Sequence, residues 1–207
     1  DALRVEARID GGDVPERGQQ ESRRHDEGHR DRDLGGDQLG PAVSAGRSIL
    51  MYGPPGNGKS SISNGIRDAL GDHVYVPRAI EYAGQVITVY DPIVHTAVPE
   101  EEDDPNALRR KTRFDQRYVK CERPTVITGG ELTLQDLDLA WSDTNRFYEA
   151  PLQLKANGGI LVIDDFGRQQ MEPSDLLNRW IVPLEEHVDY LTFHTGKKFP
   201  IPFKTLL

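Results

Sequence analysis

The sequence predicts an α/β fold with a largely parallel central sheet, for three reasons. Residues 48–52 and Ile160–Ile163 are short apolar runs of the kind found in buried strands. Between these runs, Lys59–Leu70 carries isoleucine or leucine at every fourth position, which is typical of an amphipathic helix. Strands that alternate with helices usually pair in parallel, because the helix crosses back over the sheet between them.

The composition is that of a globular protein with one domain. The chain has 207 residues, of which 36% are hydrophobic and 29% are charged. No apolar run approaches the roughly 18 to 20 residues needed to span a bilayer, so no membrane partner is expected. The net charge of −9 disfavours a surface devoted to nucleic acid, although it leaves room for a local basic patch. The single cysteine, Cys121, and the lack of a signal sequence predict a cytoplasmic protein.

Residues 1–37 differ from the rest of the chain. They contain neither aromatic residues nor lysine, and they are rich in arginine, aspartate, glutamate and glycine. So little apolar surface cannot offset an ordering entropy of about 1–2 kcal/mol per residue. The sequence therefore predicts a disordered tail, or a stretch translated in the wrong reading frame, and places the folded domain at residues 38–207.

A glycine-rich loop follows the first apolar run. Residues 53–60 read Gly-Pro-Pro-Gly-Asn-Gly-Lys-Ser and match the pattern G-x-x-x-x-G-K-[ST] at each defined position. Glycine lets successive backbone N–H groups point inward around a triphosphate, and the helix that begins there directs the positive end of its dipole at the phosphates. The predicted nucleotide-binding residues are Gly53, Pro54, Pro55, Gly56, Asn57, Gly58, Lys59, Ser60 and Ser61.

Two side chains of this loop are predicted to act on the phosphates and on a metal. Lys59 is expected to reach the β- and γ-phosphates, and it is one of three predicted catalytic residues. The Ser60 hydroxyl is expected to ligate Mg²⁺. The predicted cofactors are therefore ATP and Mg²⁺.

The middle of the chain predicts further strands at residues 73–76, 85–90 and 125–128. Residues 129–133 are interpreted as a plain turn before a leucine-rich helix, with a client-facing loop as the alternative. A basic segment with interleaved aromatic residues indicates contact with nucleic acid or, more simply, a solvated helix face. Its basic residues are Arg109, Arg110, Lys111, Arg113, Arg117, Lys120 and Arg123.

A pair of acids follows the second apolar run. The strand Ile160–Ile163 is expected to deliver Asp164 to the magnesium ion at its carboxyl end. Asp165 is then placed to orient and polarise the attacking water. The predicted metal ligands are thus Ser60 and Asp164, and the predicted catalytic residues are Lys59, Asp164 and Asp165.

The C-terminal part predicts a helix and a hairpin. The helix spans residues 174–187, with Ser174 as its N-cap, and Pro183 should kink or divide it. Residues 190–203 carry two β-prone runs around a Thr-Gly-Lys-Lys turn, which favours a β-hairpin.

With both motifs in place, the chain resembles the AAA+ branch of P-loop ATPases. The Pro-Pro pair in residues 53–60 is the form common in that branch, and residues 148–151, 155–159 and 164–169 are similar to bacterial AAA+ proteins described as predicted ATPases with chaperone activity. The resemblance implies a three-layer αβα P-loop NTPase core without its C-terminal helical lid. It also implies a hexameric ring that hydrolyses ATP to remodel a protein client.

Two departures from the AAA+ pattern leave alternatives open. Most AAA+ proteins have glutamate where this chain has Asp165, and an Asp-Asp pair is also found in helicase loaders and replication initiators, so a DNA-linked ATPase is the alternative function. In addition, the chain stops before the expected positions of sensor 1, the arginine finger and the lid. A nucleotide-binding fragment with little turnover is therefore the third hypothesis.

Overall fold

The computed structural model describes residues 5–8, 43, 46, 48–52, 59–71, 73–99 and 115–207. The chain divides into two compact units, Asp1–Ala69 with Leu206–Leu207 and Leu70–Thr205, which are described separately. Within the described residues, no helix combines the length and the apolar character needed to cross a membrane.

The first unit contains a parallel pair of strands and nearly all of the first helix. Strand β1 (Val5–Arg8) pairs in parallel with β2 (Ile49–Tyr52). Helix α1 (Lys59–Leu70) is the next element of the described chain. The strand and the helix predicted on either side of the glycine-rich loop are therefore confirmed. The prediction of a disordered tail stays a prediction, because residues 1–37 lie outside the described residues apart from β1.

The second unit contains most of the strands. Its elements, in chain order, are β3 (His73–Pro77), β4 (Ala79–Tyr82), β5 (Gln85–Thr88), β6 (Tyr118–Glu122), β7 (Thr125–Thr128), a 3₁₀ helix (Leu134–Leu137), β8 (Ala140–Ser142), β9 (Phe147–Glu149), α2 (Leu152–Lys155), β10 (Ile160–Ile163), α3 (Pro173–Glu186), β11 (Val188–Thr192) and β12 (Lys198–Pro202). Strands β3 and β6 pair antiparallel, as do β11 and β12, whereas β7 and β10 pair in parallel. A four-stranded sheet with the order β4-β5-β9-β8 mixes both kinds of pairing.

The predicted three-layer αβα P-loop NTPase core with a mostly parallel sheet is wrong for the described residues. They hold more strand than helix, and they form two separate parallel pairs, two antiparallel pairs and one mixed four-stranded sheet rather than one mostly parallel sheet. The physical reason is visible at β4 and β5, which are joined by Ala83 and Gly84, both with positive φ (52° and 78°). A two-residue turn of this kind brings the strands together antiparallel, because a parallel pair needs a crossover of about a dozen residues.

The hydrophobic core of the second unit draws on its antiparallel and mixed sheets. Its members are Val76, Ile87, Val89, Cys121, Tyr148, Ala150, Leu154, Leu191, Phe193, Phe199 and Ile201. Cys121 is fully buried in this cluster, and burial raises the pKa of its thiol. Cys121 therefore acts as a small apolar residue of the core.

The C-terminal elements match the prediction in kind but not in every boundary. Helix α3 begins at Pro173 with Glu172 as its N-cap, so Ser174 as N-cap is wrong. The fixed φ of proline suits the first helical position, which explains the earlier start. The helix continues through the buried Pro183 and is not divided. The β11–β12 hairpin is confirmed.

The leucine-rich helix expected after residues 129–133 is wrong. The chain forms only one 3₁₀ turn at Leu134–Leu137, and β8 begins three residues later. Leu137 and Leu132 are buried while Leu134 is 43% exposed, so the leucines do not share one helical stripe. The carboxylate of Asp136 accepts hydrogen bonds from the backbone and hydroxyl of Thr133, which stabilises this short turn.

Candidate functional site

The glycine-rich loop connects a strand to a helix. Strand β2 ends at Tyr52 and α1 begins at Lys59. The predicted phosphate-binding residues 53–58 lie outside the described residues, and so do the side chains of Lys59, Ser60 and Ser61. The backbone places these last three residues in the first turn of α1, which contains no acidic residue. The N-terminus of α1 therefore keeps the positive electrostatic potential that favours an anion.

The acid pair lies at the carboxyl ends of two parallel strands. Ile163 of β10 is opposite Thr128 of β7 in the register. The Asp164 N–H donates to the Thr128 carbonyl oxygen at 2.8 Å, so the ladder extends one residue beyond the strands. Ile160 and Leu161 are buried whereas Val162 and Ile163 are half-buried, so both faces of β10 are fully covered only at its start.

Both carboxylates are exposed to solvent, and each has a local hydrogen-bond donor. The Asp165 N–H donates to Oδ1 of Asp164 at 2.9 Å. Oδ2 of Asp165 lies 3.4 Å from Nη1 of Arg168, and both of these side chains are largely exposed. An exposed ion pair of this kind contributes little to stability. The Asp165 carboxylate can therefore exchange Arg168 for another partner.

The backbone explains why aspartate is suited to position 165. Asp165 has a φ of 49°, in the left-handed region. Aspartate and asparagine enter this region more readily than longer side chains, because their short polar groups bond to nearby backbone. The left-handed backbone at position 165 thus favours aspartate over glutamate.

Gln169 is a residue of this site that sequence reasoning missed. Its Nε2 atom lies 2.9 Å from the carbonyl oxygen of Asp164 and 3.3 Å from those of Asp165 and Gly129. Its Oε1 atom accepts the N–H of Gly167 at 2.8 Å. Gln169 is 9% exposed. A glutamine in an irregular segment has no periodicity or spacing that signals such a role, so only the structure reveals it.

The carboxylate of Glu131 closes the turn after β7 with two hydrogen bonds. Oε1 of Glu131 accepts the Gly129 N–H at 2.9 Å and the Thr128 hydroxyl at 3.2 Å. The hydrogen bond from Gly129 lowers the pKa of Glu131 below its ordinary value, helped by the Glu131 N–H and by Thr128. These contacts agree with the interpretation of residues 129–133 as a turn, whereas a client-facing role for it stays a prediction.

The basic segment is only partly described. Arg109, Arg110, Lys111 and Arg113 lie outside the described residues. Arg117 forms an exposed ion pair with Asp115, at 2.5 Å. Arg123 donates to the carbonyl oxygens of Leu70 (3.3 Å) and Gly158 (2.6 Å). Residues 118–122 form β6, so a helix face is wrong for this part of the segment.

Within the described part of the chain, no group of three or more histidine, cysteine, aspartate or glutamate side chains is arranged to hold a metal ion. The predicted magnesium ligands Ser60 and Asp164 belong to different compact units, so the magnesium site that they would share stays a prediction. Oxygen donors of these types fit Mg²⁺, which keeps several of its waters when it binds.

No family model matches the sequence, and a search of the curated proteins finds no significant match.

Proposed function

We propose that this protein binds ATP with Mg²⁺ through residues 53–61. The observation that carries the proposal is the order of the local elements: β2 ends immediately before the first glycine of the loop, and α1 begins at Lys59. A phosphate-binding loop requires this strand–loop–helix unit, because the helix N-terminus and the loop amides must converge on one anion. The unit does not depend on how the other strands are layered.

The acid pair supplies the second half of the proposed reaction. Asp164 holds Mg²⁺, directly or through a water, while Asp165 orients a water for attack on the γ-phosphorus. The new P–O bond forms as the bond to the β,γ-bridging oxygen breaks, releasing ADP and inorganic phosphate. Support comes from the exposure of both carboxylates at the carboxyl ends of β7 and β10.

The work done by hydrolysis is proposed to be the remodelling of a protein client in the cytoplasm, by a homo-oligomeric ring of the AAA+ kind. This part is supported by the sequence resemblance alone. Among the described basic residues, Arg117 is paired with Asp115 and Arg123 donates to backbone carbonyls, so neither of these two arginines favours a DNA-linked role.

Nucleotide binding is tested by titrating the purified chain with ATP, with and without Mg²⁺, in a calorimeter. We expect the wild type to bind ATP in a magnesium-dependent manner. In Lys59→Ala the binding free energy should weaken by about 1.5–3 kcal/mol, or roughly 10- to 150-fold in Kd, because a charged hydrogen bond to phosphate is lost. Lys198→Ala, in the exposed first position of β12, is the control and should bind as the wild type does. Equal affinity with and without Mg²⁺, or in the two lysine variants, contradicts the proposal.

Two further measurements test whether the protein hydrolyses ATP and whether its client is DNA or protein. A single-turnover experiment with radiolabelled ATP distinguishes hydrolysis from binding alone, and a flat time course would favour the nucleotide-binding hypothesis. Stimulation of turnover by single-stranded DNA that weakens with salt would favour the DNA-linked alternative. Turnover that does not respond to DNA agrees with a protein client.

A further inference from the structure

The turn that carries the acid pair is held by the side chain of Gln169 rather than by regular backbone pairing. Residues 165–168 close with one backbone hydrogen bond, from the Arg168 N–H to the Asp165 carbonyl oxygen at 2.9 Å. Asp165 and Gly167 both have positive φ, 49° and 93°. Such a turn has few internal constraints, so the direction of its carboxylates depends on what anchors it.

Gln169 provides that anchor from a largely buried position. Its amide group has two hydrogens, and three carbonyl oxygens lie within 3.3 Å of Nε2: those of Asp164, Asp165 and Gly129. One hydrogen is therefore shared. Two of these carbonyls belong to the acid pair itself, so the amide fixes the peptide planes on both sides of the Asp165 α-carbon.

A second observation shows that the anchor joins two loops. Gly129 belongs to the turn after β7, and Asp164 follows the neighbouring parallel strand β10. In the same place, a Cβ added to Gly130 would lie 3.2 Å from the Arg168 carbonyl oxygen. The Gly130 backbone thus lies close to that of Arg168, and the Gln169 amide bridges the turns after β7 and β10.

We propose that Gln169 is a positioning residue for ATP hydrolysis, which holds Asp164 and Asp165 in the directions needed for the metal and the water. This inference rests on the proposed function. The residue does not touch the nucleotide; it acts through the backbone of the two aspartates. Displacing a reacting group by about 1 Å lowers turnover by up to roughly 100-fold, and removing partners of metal ligands has effects of about 10- to 100-fold.

The test compares Gln169→Met with Gln153→Met in the full chain. Gln153 is a matched control, because it is also buried and its Nε2 also donates to a backbone carbonyl, that of Leu137 at 2.8 Å. Its other partner is Asp189, so it is bonded to neither member of the acid pair. Methionine keeps the length of glutamine and removes its polar atoms.

We expect Gln169→Met to lower kcat by about 10- to 100-fold, with the Kd for MgATP changed by less than about threefold. Gln169→Glu keeps the acceptor for the Gly167 N–H but removes both donated hydrogens, and it should lose turnover as well. Gln153→Met should lower thermal stability while leaving kcat near the wild-type value at temperatures far below its Tm.

The outcomes separate this inference from the proposed function. Wild-type protein that binds ATP without magnesium-dependent turnover overturns the proposed hydrolysis and the role of Gln169, but not the proposed ATP binding. Normal turnover in the wild type and in Gln169→Met overturns only the role of Gln169. A loss of turnover in Gln153→Met equal to that in Gln169→Met also overturns it, since the effect would then follow from folding stability.

Discussion

The guanidinium group of Arg179 holds the carboxylate of Asp189 in a two-pronged ion pair, with Nη1–Oδ1 at 2.6 Å and Nη2–Oδ2 at 2.8 Å. Asp189 is 1% exposed and also accepts hydrogen bonds from Gln153 and from the Tyr190 N–H. The pair joins α3 to β11. Its geometry satisfies a buried charge that would otherwise be costly to desolvate.

Removing the arginine is therefore expected to destabilise the protein strongly. Arg179→Met leaves the buried Asp189 carboxylate without its counter-charge, and the free energy of unfolding should fall by about 3–5 kcal/mol. Urea unfolding at pH 7 measures this loss. Arg117→Met breaks the exposed pair with Asp115 and is the control, with no resolvable change. Equal losses of unfolding free energy in Arg179→Met and Arg117→Met would show that burial does not decide the strength of the Arg179–Asp189 pair.

The Lys155–Asp91 pair makes stability depend on pH in the acid range. Lys155 Nζ lies 2.7 Å from Oδ2 of Asp91, and both side chains are mostly covered. Burial by itself raises the pKa of Asp91, but hydrogen bonds from the Lys155 ammonium and the Ile93 N–H, with the charges of Lys155 and His95, bring it below its ordinary value. A carboxyl group with a lowered folded-state pKa stabilises the fold above its unfolded pKa, about 4, and loses this contribution as pH falls through the folded value.

Lys155→Met should lower the free energy of unfolding at pH 7 by about 1–3 kcal/mol, because Asp91 loses its strongest partner. The difference in unfolding free energy between Lys155→Met and the wild type should narrow as the pH falls from about 4 through the lowered folded-state pKa of Asp91, because the carboxyl group becomes neutral there. Unfolding curves collected between pH 2 and pH 7 check this. Lys204→Met, at an exposed lysine, should follow the wild-type curve. Wild-type and Lys155→Met curves that run parallel over this range would contradict the assignment.

Two glycine substitutions are expected to change the stability of the protein in opposite directions. A Cβ at Gly159 would lie 2.0 Å from the carbonyl oxygen of Pro124, which accepts the N–H of Ile160 at the start of the β7–β10 pair. Gly159→Ala should therefore destabilise the protein by about 1–3 kcal/mol or more. Gly65→Ala in α1 meets nothing within 4 Å and should stabilise the helix by about 0.5–1 kcal/mol. Thermal unfolding of both variants measures the signs, and a neutral Gly159→Ala would contradict the close packing at Pro124.

Asp165→Asn tests the proposed water-orienting role without changing the local backbone. Asparagine tolerates the left-handed conformation as aspartate does, so the change removes charge and little else. We expect kcat for ATP to fall by about 10²- to 10⁴-fold while the Kd for MgATP changes by less than about threefold. Asp175→Asn, in the exposed first turn of α3, should keep wild-type turnover. Unchanged turnover in Asp165→Asn would assign the water-orienting role to another group.

The sequence predicted helices and strands correctly where the spacing of apolar residues and the positions of glycine and proline indicated the same element. Four-residue spacing in α1 and the four apolar residues of β10 predicted these elements within a residue or two. Short strands without such a signal were missed, among them β4, with its mostly exposed residues, and β8. Their stability comes from partners in the four-stranded sheet rather than from their own pattern, which explains why propensity does not reveal them.

The sequence by itself determined the strand at residues 49–52, the helix at residues 59–70 and the acid pair after β10, because these depend on residues close together in the chain. Only the tertiary structure decided which strands pair and in which direction, and that Gln169 bridges to Gly129, 40 residues away. Pairing is set by turn geometry and by side chains that meet from distant segments, so its free energy is not contained in any one segment's composition.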